Sequence, residues 1–231
     1  MVTRNIIIFG EPSIDRRFLL KMLVTCDSNV LQPVRIFEAH VHSTFSTSKN
    51  QYRFYDTAGL DSDVSKLEPR EALGNLYRFI RVFDGGINLL IYVVDDRHSV
   101  DNIKLFYDFL CRRDVPIILV TSNAHPPSAS HSELDLPQFK HILTLNDPKR
   151  EDEASLREAI SEHIERDPKS IPLIERFEVT ARGFWKLLER AAGWSISDYH
   201  DALKASLMDH ETFSDRDVDA ICESIVQSMK K

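Results

Sequence analysis

Short apolar runs with the composition of buried strands alternate along this chain with longer stretches that have helical spacing. Continuous apolar strands separated by helices are typical of a parallel sheet that is covered on both faces. Six strands are predicted. Five lie at residues 6–9, 34–48, 51–55, 87–94 and 116–121, and the sixth ends near residues 179–180. The pattern therefore predicts an α/β fold with a doubly wound, mostly parallel sheet.

A hairpin adds one antiparallel edge strand to the predicted sheet. Residues 34–48 and 51–55 have strand character, and Lys49-Asn50 between them has the composition of a tight turn. Helices are predicted over residues 18–24, 67–83, 99–113, 154–166 and 184–192, where apolar residues recur every three to four positions. Residues 125–153 are rich in Pro, Ser, His and acidic residues, so we predict a long loop or a partly ordered insertion there.

The length of 231 residues and the apolar content of 42% fit one large domain with an appendage. We expect an α/β main domain over residues 1–194 and a C-terminal helical extension over residues 195–231. The extension contains two short amphipathic stretches. Ser214, with Asp217 three residues later, predicts the start of the second one.

The charge and the cysteines limit the partners and the compartment. A net charge of -7 gives no general attraction to nucleic acid or to anionic membranes. No apolar stretch reaches the roughly 18 residues that span a bilayer. Cys26, Cys111 and Cys222 are far apart and lack CxxC spacing, which is typical of reduced thiols. We therefore expect a cytoplasmic protein with a protein partner, no nucleic acid and no membrane span.

The residues that follow the predicted strands form the candidate site, because ligands of doubly wound sheets bind beyond the carboxyl ends of the strands. They are Gly10, Glu11, Ser13, Asp15, Arg16 and Arg17 after the first strand, Asp56 and Gly59 after the third, Thr121 and Asn123 after the fifth, and Thr180 and Ala181 after the sixth.

Several stretches resemble the G domain of the P-loop GTPases in order, spacing and strand context. They are residues 56–60 (DTAGL), 75–77, 87–94, 104–111, 115–120 and 179–183. The chain is similar in particular to the G-domain proteins of mushroom-forming fungi, and the resemblance covers about residues 4–192. It implies a Ras-like G-domain fold and GTP or GDP with Mg²⁺ as the ligands of an active site. It assigns Mg²⁺ binding and γ-phosphate sensing to Asp56 and its segment, and base contacts to residues 121–124 and 180–182.

The phosphate loop departs from the family pattern GxxxxGK[ST]. Only Gly10 is retained, and Asp15, Arg16 and Arg17 stand where Gly, Lys and Ser or Thr belong. At ~5 Å and an effective dielectric of about 20, Asp15 repels each unit of phosphate charge by about 3 kcal/mol, a factor of roughly one hundred in affinity. Arg17 replaces the Ser or Thr whose hydroxyl binds the metal in the family pattern. We expect Arg17 to pair with Asp56 or Asp15 rather than to bind phosphate.

Base recognition and water positioning depart from the family as well. Residues 121–124 read TSNA, so the Lys and the guanine-reading Asp of the [NT]KxD motif are both absent. Without that acceptor, the buried donor groups of guanine have no partner, so the site distinguishes guanine less well from other bases. Leu60 stands where many of these enzymes place a water-orienting Gln.

Three functional hypotheses remain open. The preferred one is a pseudo-GTPase, a G-domain fold kept for protein interaction with weak or no nucleotide binding and no required cofactor. The alternative is a divergent GTP-binding protein or NTPase in which Arg16 and Arg17 hold the phosphates and Asp56 organises Mg²⁺ and catalysis. The third is a receiver-like or flavodoxin-like domain with Asp56 as phosphoacceptor, although the acidic pair and the Lys which that chemistry needs are missing.

Overall fold

The computed structural model describes residues 2–10, 19, 22–23, 40–46, 50–57, 69–83, 85–94, 100–122, 139–145, 150–164, 173–192, 196–208 and 214–229. Of the helix predicted over residues 18–24, only Leu19, Met22 and Leu23 are described, and all three are helical. Among the described residues, no helix is both long and apolar enough to cross a bilayer.

Six strands form one sheet, in the order β2-β3-β1-β4-β5-β6. They are β1 (Val2–Gly10), β2 (His40–Ser46), β3 (Asn50–Asp56), β4 (Leu89–Val93), β5 (Ile117–Ser122) and β6 (His141–Leu145). β1 pairs in parallel with β3 and β4, and the parallel series continues through β5 to β6. β2 is antiparallel to β3 at one edge. The predicted α/β fold, with a mostly parallel sheet and one antiparallel edge, is confirmed.

Helices follow most of the strands. They are α1 (Pro69–Val82), α2 (Val100–Ile103) with a π-helical continuation (Lys104–Leu110), α3 (Arg150–His163), α4 (Leu173–Ala192), α5 (Ile196–Met208) and α6 (Asp215–Met229). The helices predicted over residues 67–83 and 154–166 and the two C-terminal helices are confirmed to within a few residues. The one predicted to run to residue 113 ends earlier, because Arg112 and Arg113 have φ of 50° and 62°.

Two parts of the chain differ from their predicted secondary structure. Residues 125–153, predicted as a long loop or a partly ordered insertion, contain β6, which is a strand of the main sheet, and the start of α3. The residues of β6 do not alternate strictly between apolar and polar, so periodicity does not reveal this strand. The strand predicted to end near residues 179–180 is also absent, because α4 is continuous through this region. Val179 and Thr180 are β-branched and favour strands, but packing of α4 against other helices outweighs that preference.

The sheet separates two apolar cores, because successive side chains of a strand point to opposite faces. On one face, Ile7 and Phe9 of β1 join a core to which α1, the π-helix and α4 to α6 all contribute. On the other face, Ile6 and Ile8 join a core with Ile160 of α3. The C-terminal helices α4 to α6 therefore share the α1 side of the sheet.

Helix α1 is buried around nearly its whole circumference. From residue 73 to residue 80, only Arg78 is exposed. A helix that is buried on all sides lies between two packed layers. For α1, the sheet forms one layer, and α4 and α5, which both contact it, form the other.

Candidate functional site

The carboxyl ends of β1, β3, β4 and β5 lie side by side, and hydrogen bonds extend their pairing past the strand ends. The N–H of Thr57 donates to the carbonyl oxygen of Ile8 at 3.0 Å, and the N–H of Val94 donates to that of Val120 at 3.0 Å. Three of the predicted site residues, at the ends of β1, β3 and β5, thereby share one edge of the sheet. They are Gly10, Asp56 and Thr121.

Gly10 lies where no other residue fits. It pairs with Val93 of β4, and its φ is +130°. A Cβ at this position would overlap the carbonyl oxygen of Val93. The glycine is therefore required by the backbone geometry of the central strand, whether or not a phosphate binds beside it.

Asp56 and Thr57 end β3 as buried polar residues, with 5% and 0% of their surface exposed. The Oγ1 of Thr57 is buried, and among the described residues it has no hydrogen-bond partner. A buried hydroxyl without a partner costs about 1–3 kcal/mol. It is the kind of group that a bound ligand can satisfy. The sequence motifs assign no role to this hydroxyl, and the only signal for it is that Thr57 directly follows the strand-end carboxylate.

The remaining predicted residues fall into two groups. Glu11, Ser13, Asp15, Arg16, Arg17, Gly59 and Asn123 lie outside the described residues. Thr180 and Ala181 are described, and they are not in a strand-to-helix turn.

Thr180 and Ala181 lie in the middle of α4. The hydroxyl of Thr180 donates to the carbonyl oxygen of Arg176 at 2.8 Å, one helical turn earlier. Ala181 is fully buried in the apolar core on the α1 side. The prediction that these residues form a base-contacting turn is therefore wrong, because the sixth strand of the sheet is β6 and not the stretch before residue 180.

The described residues supply only one side of a nucleotide and Mg²⁺ site. Magnesium takes oxygen ligands, and the Asp56 carboxylate and the Thr57 hydroxyl at the end of β3 are suitable donors. No group of three or more His, Cys, Asp or Glu that could hold a metal occurs in the described part of the chain. The loop after Gly10 would have to complete the set. It lies outside the described residues, and its sequence has Arg16 and Arg17 at the two positions where the family pattern has a Lys and a hydroxyl.

A second polar arrangement lies on the α1 side of the sheet. Arg176 of α4 is 3% exposed, and its Nη1 donates to the carbonyl oxygen of Phe83 at 2.9 Å. Phe83 directly follows α1, so the guanidinium lies at the negative end of that helix dipole. Burial raises the pKa of the nearby Cys111 thiol to about 12, and the charge of Arg176 acts in the opposite direction. Nothing in the sequence distinguishes Arg176, because a charged residue in an amphipathic helix is usually exposed.

Comparisons with known proteins identify the fold. No protein-family model and no curated protein sequence matches the chain. Among solved structures, a point mutant of Aquifex aeolicus Era bound to GDP·AlF4⁻ has a TM-score of 0.51 and 15% identity, over 75% of this chain and 60% of that one. Era in complex with MgGDPNP and nucleotides 1506–1542 of 16S ribosomal RNA has a TM-score of 0.51 and 14% identity, over 79% and 67% of the two chains.

This chain therefore spans about 60% of the first of these proteins and about two thirds of the second. At such low identities the likeness concerns the fold alone. The fold matches the α/β fold of a G domain, in agreement with the strand order and with the antiparallel edge strand.

Proposed function

We propose that this chain, whose fold is that of a G domain, is a pseudo-GTPase: a protein-interaction module with weak or no nucleotide binding and no efficient hydrolysis. One observation carries the proposal. The central strand β1 ends at Gly10, between β3 and β4, and the residues that follow it include Asp15, Arg16 and Arg17 in place of Gly, Lys and Ser or Thr.

The charges of these three residues oppose the binding of a nucleotide with its metal. Asp15 places a carboxylate where a phosphate would bind, at a cost of about 3 kcal/mol for charges ~5 Å apart at an effective dielectric of about 20. Arg17 supplies a cation and no oxygen at the position of the metal ligand. Arg16 keeps a positive charge, but its planar fork does not replace a compact ammonium.

The buried carboxylate of Asp56 completes this argument. At 5% exposure, it lies at the end of β3, next to the end of β1 from which the loop starts. A buried carboxylate requires compensation by a cation or by hydrogen bonds. We propose that Arg17 pairs with Asp56 or with Asp15 and that the site is neutralised by its own side chains rather than by Mg²⁺.

Calorimetry with a restored loop tests the proposal. The natural chain is titrated with GTP, GDP and ATP, with and without Mg²⁺, and we expect no saturable binding below about 100 μM. The matched variant carries Asp15→Gly, Arg16→Lys and Arg17→Ser, which restores the loop pattern. We expect its affinity for GTP with Mg²⁺ to rise at least about a hundredfold, since one repulsive charge is removed and a metal ligand is gained.

Micromolar, Mg²⁺-dependent binding of GTP to the natural chain would contradict the proposal. Equal, weak binding by both chains would contradict the explanation through the loop, provided that circular dichroism shows the restored variant to be folded.

The second candidate is a divergent GTP-binding protein or NTPase that uses Arg16, Arg17 and Asp56. The observation in its favour is the buried Thr57 hydroxyl beside Asp56, which has no partner among the described residues. This candidate requires phosphate release from GTP or ATP that Asp56→Asn and Arg16→Ala both abolish while the unfolding midpoint stays within a few degrees. Turnover that survives both substitutions comes from a contaminant or from another site.

Two further assignments belong to the proposal. We place the chain among the G-domain proteins of mushroom-forming fungi, supported by the quoted stretches, above all DTAGL at residues 56–60. We also place it in the cytoplasm. Cys111 and Cys222 are buried free thiols, as is usual in a reducing compartment.

A further inference from the structure

Helix α4 contacts two elements of the G-domain fold at once. Near its start, the ring of Phe177 packs edge-on against that of Tyr77 of α1, with the centroids 5.5 Å apart. Glu175 accepts a hydrogen bond from Nη1 of Arg112, just beyond the π-helix, at 2.6 Å. Further along, a Cβ on Gly183 would overlap the ring of Phe109 in the π-helix. The glycine therefore permits the close approach of the two helices.

Arg176 is the central polar residue of this contact. It lies between Glu175 and Phe177, is 3% exposed, and donates to the carbonyl oxygen of Phe83 at the end of α1. Its charge also acts on the buried thiol of Cys111 at the end of the π-helix. The hydrogen bond of this buried guanidinium thus links α4 to the end of α1. Removing it would leave the Phe83 carbonyl without this donor, a loss that is larger for charged donors than for neutral ones.

The neighbouring ion pair between Arg112 and Glu175 is weaker by comparison. Arg112 and Glu175 are half exposed, at 49% and 50% of their side chains. Ion pairs of this kind contribute little, because water screens them. The pair therefore provides a matched control at the position next to Arg176.

We propose that α4 acts as a clamp that holds α1 in one position, and that Arg176 is the residue that fastens it. While the guanidinium is bound to the Phe83 carbonyl, α1 stays between the sheet and the C-terminal helices. When α4 undocks, α1 loses this contact and is released from its position.

The clamp extends the proposed function to regulation. In a G domain, the segment after the third strand and the helix that follows it respond to the γ-phosphate. Here that helix is held from its other side by the C-terminal part of the chain. A protein partner that displaces α4 would free α1 without any nucleotide. This last step rests on the proposed function, whereas the clamp itself does not.

Cys111 provides a built-in reporter of the docking of α4. The thiol is 2% exposed, and burial raises its pKa to about 12, so the docked protein presents almost no reactive thiolate at neutral pH. The experiment is a pulse of N-ethylmaleimide on the full chain, with the labelled cysteine identified by peptide mass spectrometry. Amide hydrogen exchange of α1, β4 and β5 is measured on the same samples.

In Arg176→Met, which keeps the length of the side chain but removes its donors, we expect Cys111 to be labelled on the order of tenfold to a hundredfold faster. Exchange in α1 should rise by a similar factor, while β4 and β5 keep their wild-type protection. Glu175→Gln, the neighbouring control, should change labelling by less than about threefold. Arg176→Lys, which keeps a cationic donor, should restore most of the protection.

Unchanged labelling of Cys111 and unchanged exchange of α1 in Arg176→Met would overturn the clamp. An equal rise in α1, β4 and β5 would also overturn it, because Arg176 would then stabilise the whole fold and not one docking contact. If Arg176→Met does not fold, Gly183→Ala tests the clamp from the middle of α4, where it meets the π-helix, and should give the same local pattern. Nucleotide binding plays no part in these measurements, so calorimetry with GTP tests the proposed function separately.

Discussion

Asn5 and Asn88 are joined by two hydrogen bonds, in which the main-chain N–H of each residue donates to an oxygen of the other. The N–H of Asn5 donates to Oδ1 of Asn88 at 2.9 Å, and the N–H of Asn88 donates to the carbonyl oxygen of Asn5 at 2.8 Å. The side-chain Nδ2 of Asn5 donates to the carbonyl oxygen of Gly86 at 2.8 Å. This buried network fixes the turn before β4 at the amino end of β1, opposite the candidate site.

Asn88→Ala should reduce the free energy of unfolding by about 2 kcal/mol, because the buried N–H of Asn5 loses its acceptor. Urea denaturation with a common slope measures the loss. The control is Arg157→Ala, which breaks the half-exposed pair with Glu153 on α3 and should cost less than about 1 kcal/mol. Equal losses in the two variants would show that the buried network contributes no more to the free energy of unfolding than a solvent-exposed ion pair.

Gly10→Ala should cost more than about 3 kcal/mol or prevent folding, because its Cβ would overlap the Val93 carbonyl and its φ of +130° is strained for any side chain. Gly85→Ala is the matched control. A Cβ there would lie 3.8 Å from Nδ2 of Asn5, an ordinary contact, so the change should stay within about 1 kcal/mol. A folded Gly10→Ala of normal stability would refute the steric explanation.

Thr57→Val should leave the free energy of unfolding unchanged or raise it by up to about 1 kcal/mol. The substitution preserves the shape and removes a buried hydroxyl that has no partner among the described residues. Thermal melting without nucleotide measures it, with Thr57→Ser, which keeps the hydroxyl and loses a methyl group, as the comparison. A loss of more than about 1 kcal/mol in Thr57→Val would mean that the hydroxyl is bonded in solution.

Alkaline pH should destabilise the protein through Cys111. The pKa of this thiol is raised from 9.0 to about 12 in the folded protein. Above about pH 9 the unfolded chain has therefore lost a proton that the folded chain keeps. The contribution is fully present below about pH 9, and it falls by about 1.4 kcal/mol for each pH unit toward 12.

The measurement is the difference in unfolding free energy between the natural chain and Cys111→Ala, taken at about pH 8, 9.5 and 10.5. Other titrating groups are present in both chains and cancel. The cavity left by Cys111→Ala should shift all three values equally, whereas ionisation of the thiol should shrink the difference at high pH. A difference that stays constant across this range would mean that the thiol is accessible to solvent.

A double-mutant cycle should show that Gly183 matters because of Phe109. Gly183→Ala alone should destabilise by about 1–3 kcal/mol, since its Cβ would meet the aromatic ring of Phe109. In a Phe109→Ala background the same substitution should cost less than about 0.5 kcal/mol, or stabilise the helix, because Ala favours helices over Gly. If the costs of the two substitutions simply add, the loss in Gly183→Ala does not come from contact with Phe109.

Patterns with strong local signals allow much of the sheet to be predicted. The apolar runs of β1, β4 and β5 and the DTAGL segment after β3 identify four neighbouring strands and the edge where Gly10 and Asp56 lie. β6 is not predictable from periodicity, because a short strand is defined by its pairing with β5 rather than by its own residues. The prediction for Thr180 is wrong for the converse reason. Its β-branched side chain favours a strand, but tertiary packing makes it helical.

Two features of the structure, one at the site and one away from it, depend on distance in space rather than in sequence. Thr57 is distinguished only by a hydroxyl that is buried among the strand ends, and burial of a single polar atom is not visible in a sequence. Arg176 contacts a residue 93 positions earlier in the chain. No local pattern carries that information, because an arginine in an amphipathic helix looks the same whether it faces water or the end of another helix.

The position of β1 in the middle of the sheet affects how this protein folds during translation. β1 is synthesised well before its partners β3 and β4, and one of its faces is covered by helices that extend to residue 229. On the ribosome, α1 and the π-helix can cover Ile7 and Phe9 once residue 110 has emerged, but this core is closed only when α4 to α6 have followed. Such late closure favours slow folding and association with chaperones. A premature stop before α4 would leave the outer side of α1 exposed in the nascent product.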